Sequence, residues 1–106
     1  MSYRYMRILV MFDLPTITSE DRRNYRKFRK DLLKSGFYML QESVYCRMVL
    51  NQSAETNIRS ALKRIKPPSG SVMVLSVTEK QFAKIDYITG NAKTDVLTSD
   101  DRITIL

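Results

Sequence analysis

A carboxylate at the end of an apolar strand is the first place in this chain where chemistry could begin. Asp13 follows Ile8-Leu9-Val10-Met11-Phe12 and precedes Leu14-Pro15. A strand must stop there, because proline has no amide to donate to a ladder. At such a position a carboxylate can ligate Mg²⁺ together with water and phosphate oxygens. It can also accept amides from the turn over Leu14 to Thr16, and turn capping is the expected role from the residues alone. A single carboxylate makes a poor cage for a divalent ion, whereas a two-fold axis passing nearby would bring a second Asp13. The absence of histidine removes imidazole acid–base catalysis, Ser–His and Cys–His nucleophile pairs and most zinc sites. Ser19, Ser43 and Ser53 therefore lack a base. Cys46 stands beside Arg47, and the expectation is a buried, inert thiol. One cysteine cannot form an internal disulfide, which points to a reducing, cytoplasmic compartment.

Cations form the second constellation. The 106 residues carry 18 Lys and Arg against 11 Asp and Glu, a net charge of +7 with a pI near 9.8. Such a surplus favours polyanionic partners, nucleic acid before an anionic membrane surface. No apolar run approaches the roughly 18 residues of a membrane span. The run after Arg4 and Arg7 is also too short for a signal peptide. Arg22, Arg23, Arg26, Lys27, Arg29, Lys30 and Lys34 crowd one segment, with only Asp31 among them. On a helix, Arg23, Lys27, Lys30 and Lys34 make one stripe, and Arg22, Arg26 and Arg29 a second beside it. The bland alternative is a solvated helix face. The tyrosines could stack bases, but no RNP-type aromatic motif is present, so an RNA-recognition motif is not indicated.

These groups need a frame. Tyr5 to Leu14 is too continuously apolar for a half-exposed strand and is expected as a central strand covered on both faces. Thr18 to Ser35 is expected as a helix: Thr18-Ser19-Glu20-Asp21 resembles a capping box, Tyr25, Phe28 and Leu32 recur at helical spacing, and Gly36 can close its end. Phe37 to Leu50 is expected as a long strand, with a bend or exposed face at Gln41-Glu42-Ser43. A second helix over Ser53 to Lys66 buries Ile58, Ala61, Leu62 and Ile65 and stops at Pro67-Pro68-Ser69-Gly70. Val72 to Thr78 follows as a strand, Glu79 to Ala83 as a turn or single helical turn, and Lys84 to Thr89 as a fourth short strand. Residues 1–90 then make one α+β, ferredoxin-like domain, an antiparallel sheet with two helices on one face. Residues 91–106 form a polar extension with a short strand at Ile103 to Leu106. The sheet's uncovered face predicts a homodimer with the two sheets facing each other.

Several segments together resemble a known family. Met6-Arg7-Ile8-Leu9-Val10-Met11-Phe12-Asp13-Leu14-Pro15 is followed by Tyr25-Arg26-Lys27-Phe28-Arg29-Lys30, Gly36-Phe37, Gln41-Glu42-Ser43-Val44-Tyr45 and Thr78-Glu79-Lys80-Gln81-Phe82. The ordered set resembles the small CRISPR-associated adaptation protein, the second universal spacer-acquisition subunit, in its type II-like form. The resemblance implies a ferredoxin-like homodimer, with the C-terminal strand of one subunit adding to the partner's sheet. It also implies an integration complex in which the dimer lies between two dimers of the integrase subunit, under duplex DNA from the prespacer and the repeat. The family is also described as metal-dependent endonucleases or endoribonucleases. By that description Asp13 would be catalytic and bind Mg²⁺ shared across the dimer, with Gln41 and Ser43 at polar family positions near the site.

The favoured role is a non-catalytic, duplex-binding scaffold; the rivals are an Mg²⁺-dependent endonuclease using Asp13 and a ferredoxin-like RNA-binding module. For the scaffold the expected phosphate contacts are Arg22, Arg23, Arg26, Lys27, Lys30 and, after Gly90-Asn91, Lys93. Arg22, Arg23 and Arg26 are expected near the helix N-terminus, where free amides would add to the attraction. Such contacts carry no sequence information, which suits capture of arbitrary DNA.

Overall fold

The computed structural model describes residues 5–91. Its elements run β1 (Met6–Asp13), α1 (Ser19–Lys34), β2 (Tyr38–Gln41), β3 (Val44–Val49), α2 (Gln52–Arg64), β4 (Ser71–Thr78) and α3 (Glu79–Phe82). The four strands form one sheet in the order β2-β3-β1-β4, with every neighbouring pair antiparallel. Strand–helix–strand–strand–helix–strand in that order is the ferredoxin-like α+β arrangement, here with one short helix added.

β1 lies inside the sheet, paired from Met6↔Val49 to Met11↔Val44 on one side and from Met6↔Thr78 to Asp13↔Ser71 on the other. Its side chains alternate between faces. Ile8, Val10 and Phe12 are buried and pack with Phe28 and Leu32 of α1, Leu62 of α2, and Tyr45 and Val49 of β3. Phe12 is the hub, with ring centroids of Phe28, Tyr45 and Tyr25 at 5.1, 5.7 and 5.9 Å. Burying a side chain of this size contributes about 1.5–3 kcal/mol. On the opposite face Leu9 and Met11 are only half-buried, so the described residues do not complete the expected second cover.

Both main helices begin where polar caps permit. The Thr18 hydroxyl accepts the Asp21 amide at 3.0 Å, and the Asp21 carboxylate accepts the Thr18 amide at 3.1 Å. Asn51 caps α2 by accepting the Ala54 amide at 2.7 Å. Gly36, at φ +91°, reverses the chain after α1. The segment expected as one long strand is a hairpin: Glu42 and Ser43 form its turn, and the register shifts between Met39 and Gln41.

One expected strand does not form. Lys84 to Thr89 is turn and irregular chain. The amides of Ala83, Lys84 and Ile85 donate back to Glu79, Gln81 and Phe82, prolonging the helical turn instead of offering a ladder. Ile85 and Tyr87 line an open cleft with Arg7, Tyr38 and Leu40, and Ile85 stays 42% exposed. The extension over residues 92–106, with Lys93 and the expected strand at Ile103 to Leu106, lies outside the described residues.

Candidate nucleic-acid interface and strand-end carboxylate

Asp13 ends β1 opposite Ser71, with its side chain exposed. The Phe12 amide donates to the Ser43 carbonyl at 3.0 Å, which places Ser43, in the turn that leads into β3, at the same end of the sheet. Gln41 pairs with Val44 one strand further out. Asp13, Ser43 and Gln41 therefore share one sheet end, although none hydrogen-bonds another among the described residues. The expected turn capping is absent: no amide of Leu14 to Thr16 donates to the Asp13 carboxylate, which has no partner among the described residues. What fixes Asp13 is the turn before β4. Gly70, at φ +92°, approaches so closely that a Cβ there would lie 2.7 Å from the Asp13 carbonyl oxygen. Among the described residues no three His, Cys, Asp or Glu side chains group as a metal site. The described residues of one copy thus offer a single carboxylate at this place, too few donors to fit a divalent ion.

The cations of α1 stand on its solvent side. Phe28 and Leu32 face the core, while Arg23, Arg26, Lys30 and Lys34 are exposed and have no ion-pair partner among the described residues. Lys27 meets Asp31 at 2.9 Å one turn on. An exposed pair of this kind contributes about 0.3–0.5 kcal/mol, so a phosphate could replace it. Arg22 is used differently: its Nη1 donates to the carbonyls of Thr16 at 3.2 Å and Ile17 at 2.8 Å, clasping the loop before the helix. The helix N-terminus is not an open anion seat. Its capping box takes up first-turn donors, and Glu20 and Asp21 supply negative charge there. The unpaired cationic face therefore starts at Arg23, one residue beyond Arg22, and lies past the capped first turn.

Two clusters escaped sequence reasoning. The first is the C-terminal end of α2, where exposed Lys63, Arg64 and Lys66 add to the charge of α1. Arg64 and Lys66 line a cleft of about 180 Å³ with Asn24 and Lys27 of α1. Lys63 and Lys66, with Arg59, rim another of about 440 Å³ floored by Leu62, Val72 and Val74. The close spacing of these cations before Pro67 was the available signal. The second cluster surrounds Arg7, whose side chain is 17% exposed and whose neighbours from Met6 to Phe12 are all apolar. Arg7 Nε donates to Glu79 Oε2 at 2.6 Å and Nη2 to Oε1 at 3.3 Å. Nη1 donates to the Tyr38 hydroxyl and, at 3.9 Å, to Cys46 Sγ. The guanidinium lies 4.4 Å from the Phe82 ring centroid. The Glu79 carboxylate holds Arg7 in its charged form. Burial pushes the Tyr38 phenol up to about 12 and the Cys46 thiol above its ordinary value. An arginine inside an apolar strand is the signal that a charged partner exists.

The sheet face away from α1 and α2 carries an apolar patch. Met73 is 59% and Leu75 48% exposed, and Met48 is exposed on the same face on the other side of β1.

The comparisons place this architecture. The family model described as "CRISPR associated protein Cas2" matches residues 6–85. A Treponema denticola protein named CRISPR-associated endoribonuclease Cas2 is 52% identical over 101 residues, covering 95% of this chain and all of the relative. One of the same name from Streptococcus mutans serotype c is 48% identical, covering 95% of this chain and 93% of the relative. A solved structure titled "Crystal structure of cas2" superposes with a TM-score of 0.58 at 22% identity, covering 89% of this chain and 97% of that one. With the fold, the motifs and near-full-length relatives in agreement, the chain belongs to the Cas2 family of CRISPR-associated proteins.

Proposed function

We propose that this chain is a duplex-DNA-binding scaffold of CRISPR spacer integration, acting as a homodimer beside an integrase subunit. The observation that carries this is the division of labour between its two faces. Unpaired cations stand on the helix layer, and exposed apolar side chains stand on the sheet. Pairing two copies through the sheets would cover Leu9, Met11, Met73 and Leu75 and turn both α1 faces outward. The C-terminal strand would add to the partner's β4, whose outer edge has no strand beside it among the described residues. Arg23, Arg26, Lys27 and Lys30 would meet phosphates, joined by Lys63, Arg64 and Lys66. Arg22 would act first as the clasp of its loop and Lys93 as a further contact. No helix among the described residues is long and apolar enough to cross a membrane, and the proposed setting is the cytoplasm.

Salt dependence of duplex binding tests the footprint. Each phosphate contact adds about 0.9 to the slope of log affinity against log salt. Arg23→Glu with Arg26→Glu should weaken binding and flatten the slope by about two contacts; an unchanged slope removes those residues. Spacer integration reconstituted with the integrase subunit tests the role. Wild type and Asp13→Ala should both support it, and a folded, dimeric Asp13→Ala that fails would overturn the non-catalytic reading.

A second reading, hydrolysis of nucleic acid with Mg²⁺ at Asp13, is favoured by that carboxylate's exposure and lack of a partner, and by relatives named endoribonucleases. Cleavage of RNA or DNA by the wild type that disappears in Asp13→Ala would support it.

A further inference from the structure

The segment Thr78-Glu79-Lys80-Gln81-Phe82 has no part in the proposed interface with DNA, yet its side chains are tied both to one another and to β1. Thr78 and Gln81 form a complete capping box, at 2.9 and 3.0 Å. A four-residue helix has no stability of its own, because one turn does not repay its nucleation. Its place must come from what holds it. Glu79 grips the Arg7 guanidinium with both carboxylate oxygens, Phe82 lies against the same guanidinium, and Tyr38 and Cys46 take its remaining donors. The chain that follows stays on this face: Phe82, Ile85 and Tyr87 line an open cleft of about 340 Å³ with Arg7, Tyr38 and Leu40. Residues 79–87 thus form a strap across one end of the sheet face, fixed at a single charged node. The same face carries the apolar patch of Leu9, Met11, Met73 and Leu75 at its uncovered part. Buried polar groups are known to set register where apolar packing alone would allow several.

We infer that Arg7 is a keystone that pins residues 79–87 as a strap, and that the pinned strap sets which part of the sheet face is left for a second copy of this chain. The pairing half of this rests on the homodimer proposed above; the pinning half does not. Arg7 acts here as a positioning residue, through Glu79 and Phe82.

Hydrogen exchange and self-association of the full chain test both halves. The amides of Ala83, Lys84 and Ile85 report the strap, since they donate to Glu79, Gln81 and Phe82 at 2.9, 3.0 and 3.1 Å. In Glu79→Gln they should exchange at least about tenfold faster, with β1 and β4 amides unchanged. The dimer dissociation constant should rise about tenfold or more. Arg7→Lys keeps the charge but loses the fork, and should loosen the strap likewise. Strap amides that exchange at the wild-type rate in Glu79→Gln would overturn the pin. A loosened strap with unaltered self-association would overturn its control of the face. If wild type is monomeric at about 100 µM, the two-copy reading falls on its own, while the exchange result still judges the pin. Should Glu79→Gln lose sheet protection as well, Phe82→Ala, which leaves the charges in place, carries the same two readouts and the same criteria.

Discussion

The two ends of the same sheet handle charge in opposite ways. At one end Arg7 is enclosed by a carboxylate, a phenol, a thiol and an aromatic ring, and its donors are matched. At the other, Asp13 presents a carboxylate that has no partner among the described residues. Matched charge stabilises position, whereas unmatched charge is available to a ligand or a second subunit. The first end therefore belongs to the architecture, and the second is where the molecule can respond to something outside itself.

The largest effect that would sharpen this contrast is chemical. Cys46 is fully buried and its thiol is pushed up by burial. A disulfide reagent at pH 8 should therefore modify the folded protein at least about a hundredfold more slowly than the urea-unfolded chain. Equal rates would mean that the Arg7 end is open. Next in size is Arg7→Met, which leaves Glu79 and Tyr38 without their donor. Urea denaturation should show a loss of about 2 kcal/mol.

A smaller effect follows from Tyr38, whose phenol is raised from 10.0 to about 12. The folded state keeps this proton where the unfolded chain has lost it, so the stabilisation is complete below about pH 10 and disappears as pH rises through about 12. Thermal melts should be insensitive to Tyr38 up to pH 9 and fall above pH 10, with a shallower fall in Tyr38→Phe. A slope of the opposite sign would break the assignment of burial as the cause. Smallest of all is Asp13→Ala, expected to change stability by no more than about 0.5 kcal/mol in the same urea experiment. A loss as large as that of Arg7→Met would erase the distinction between the two ends.

Much of the frame was legible in the residues, because it is written in local terms. The apolar run of β1, the Thr18 capping box, the spacing of Tyr25, Phe28 and Leu32, and the Pro67-Pro68 stop each act within a few positions. Polar Gln41-Glu42-Ser43 marked the break that became the hairpin turn. Lys84 to Thr89 misled because alternation specifies which side chains share a face, not that a ladder partner exists. Arg7 and Glu79 were invisible as a pair, being 72 residues apart and joined only by the folded sheet. Asp13 was placed correctly at the strand end, yet its lack of a turn amide depends on backbone directions that residue types do not encode. Arg22 likewise reads as one more cation until the loop carbonyls it clasps are in place.

The position of β4 bears on how the protein behaves in bulk. Its eight residues form one edge of the sheet, with no strand beyond them among the described residues. Where no partner strand has added to it, an edge of that length can template open-ended stacking of molecules. A net charge of +7 opposes this by mutual repulsion, but the guard is only as good as the solvent. Its reach is about 8 Å at physiological ionic strength and about 3 Å in 1 M salt. The concentrated salt that would strip nucleic acid from the cationic helices would also remove the barrier to aggregation, so colloidal stability and freedom from nucleic acid pull this molecule in opposite directions.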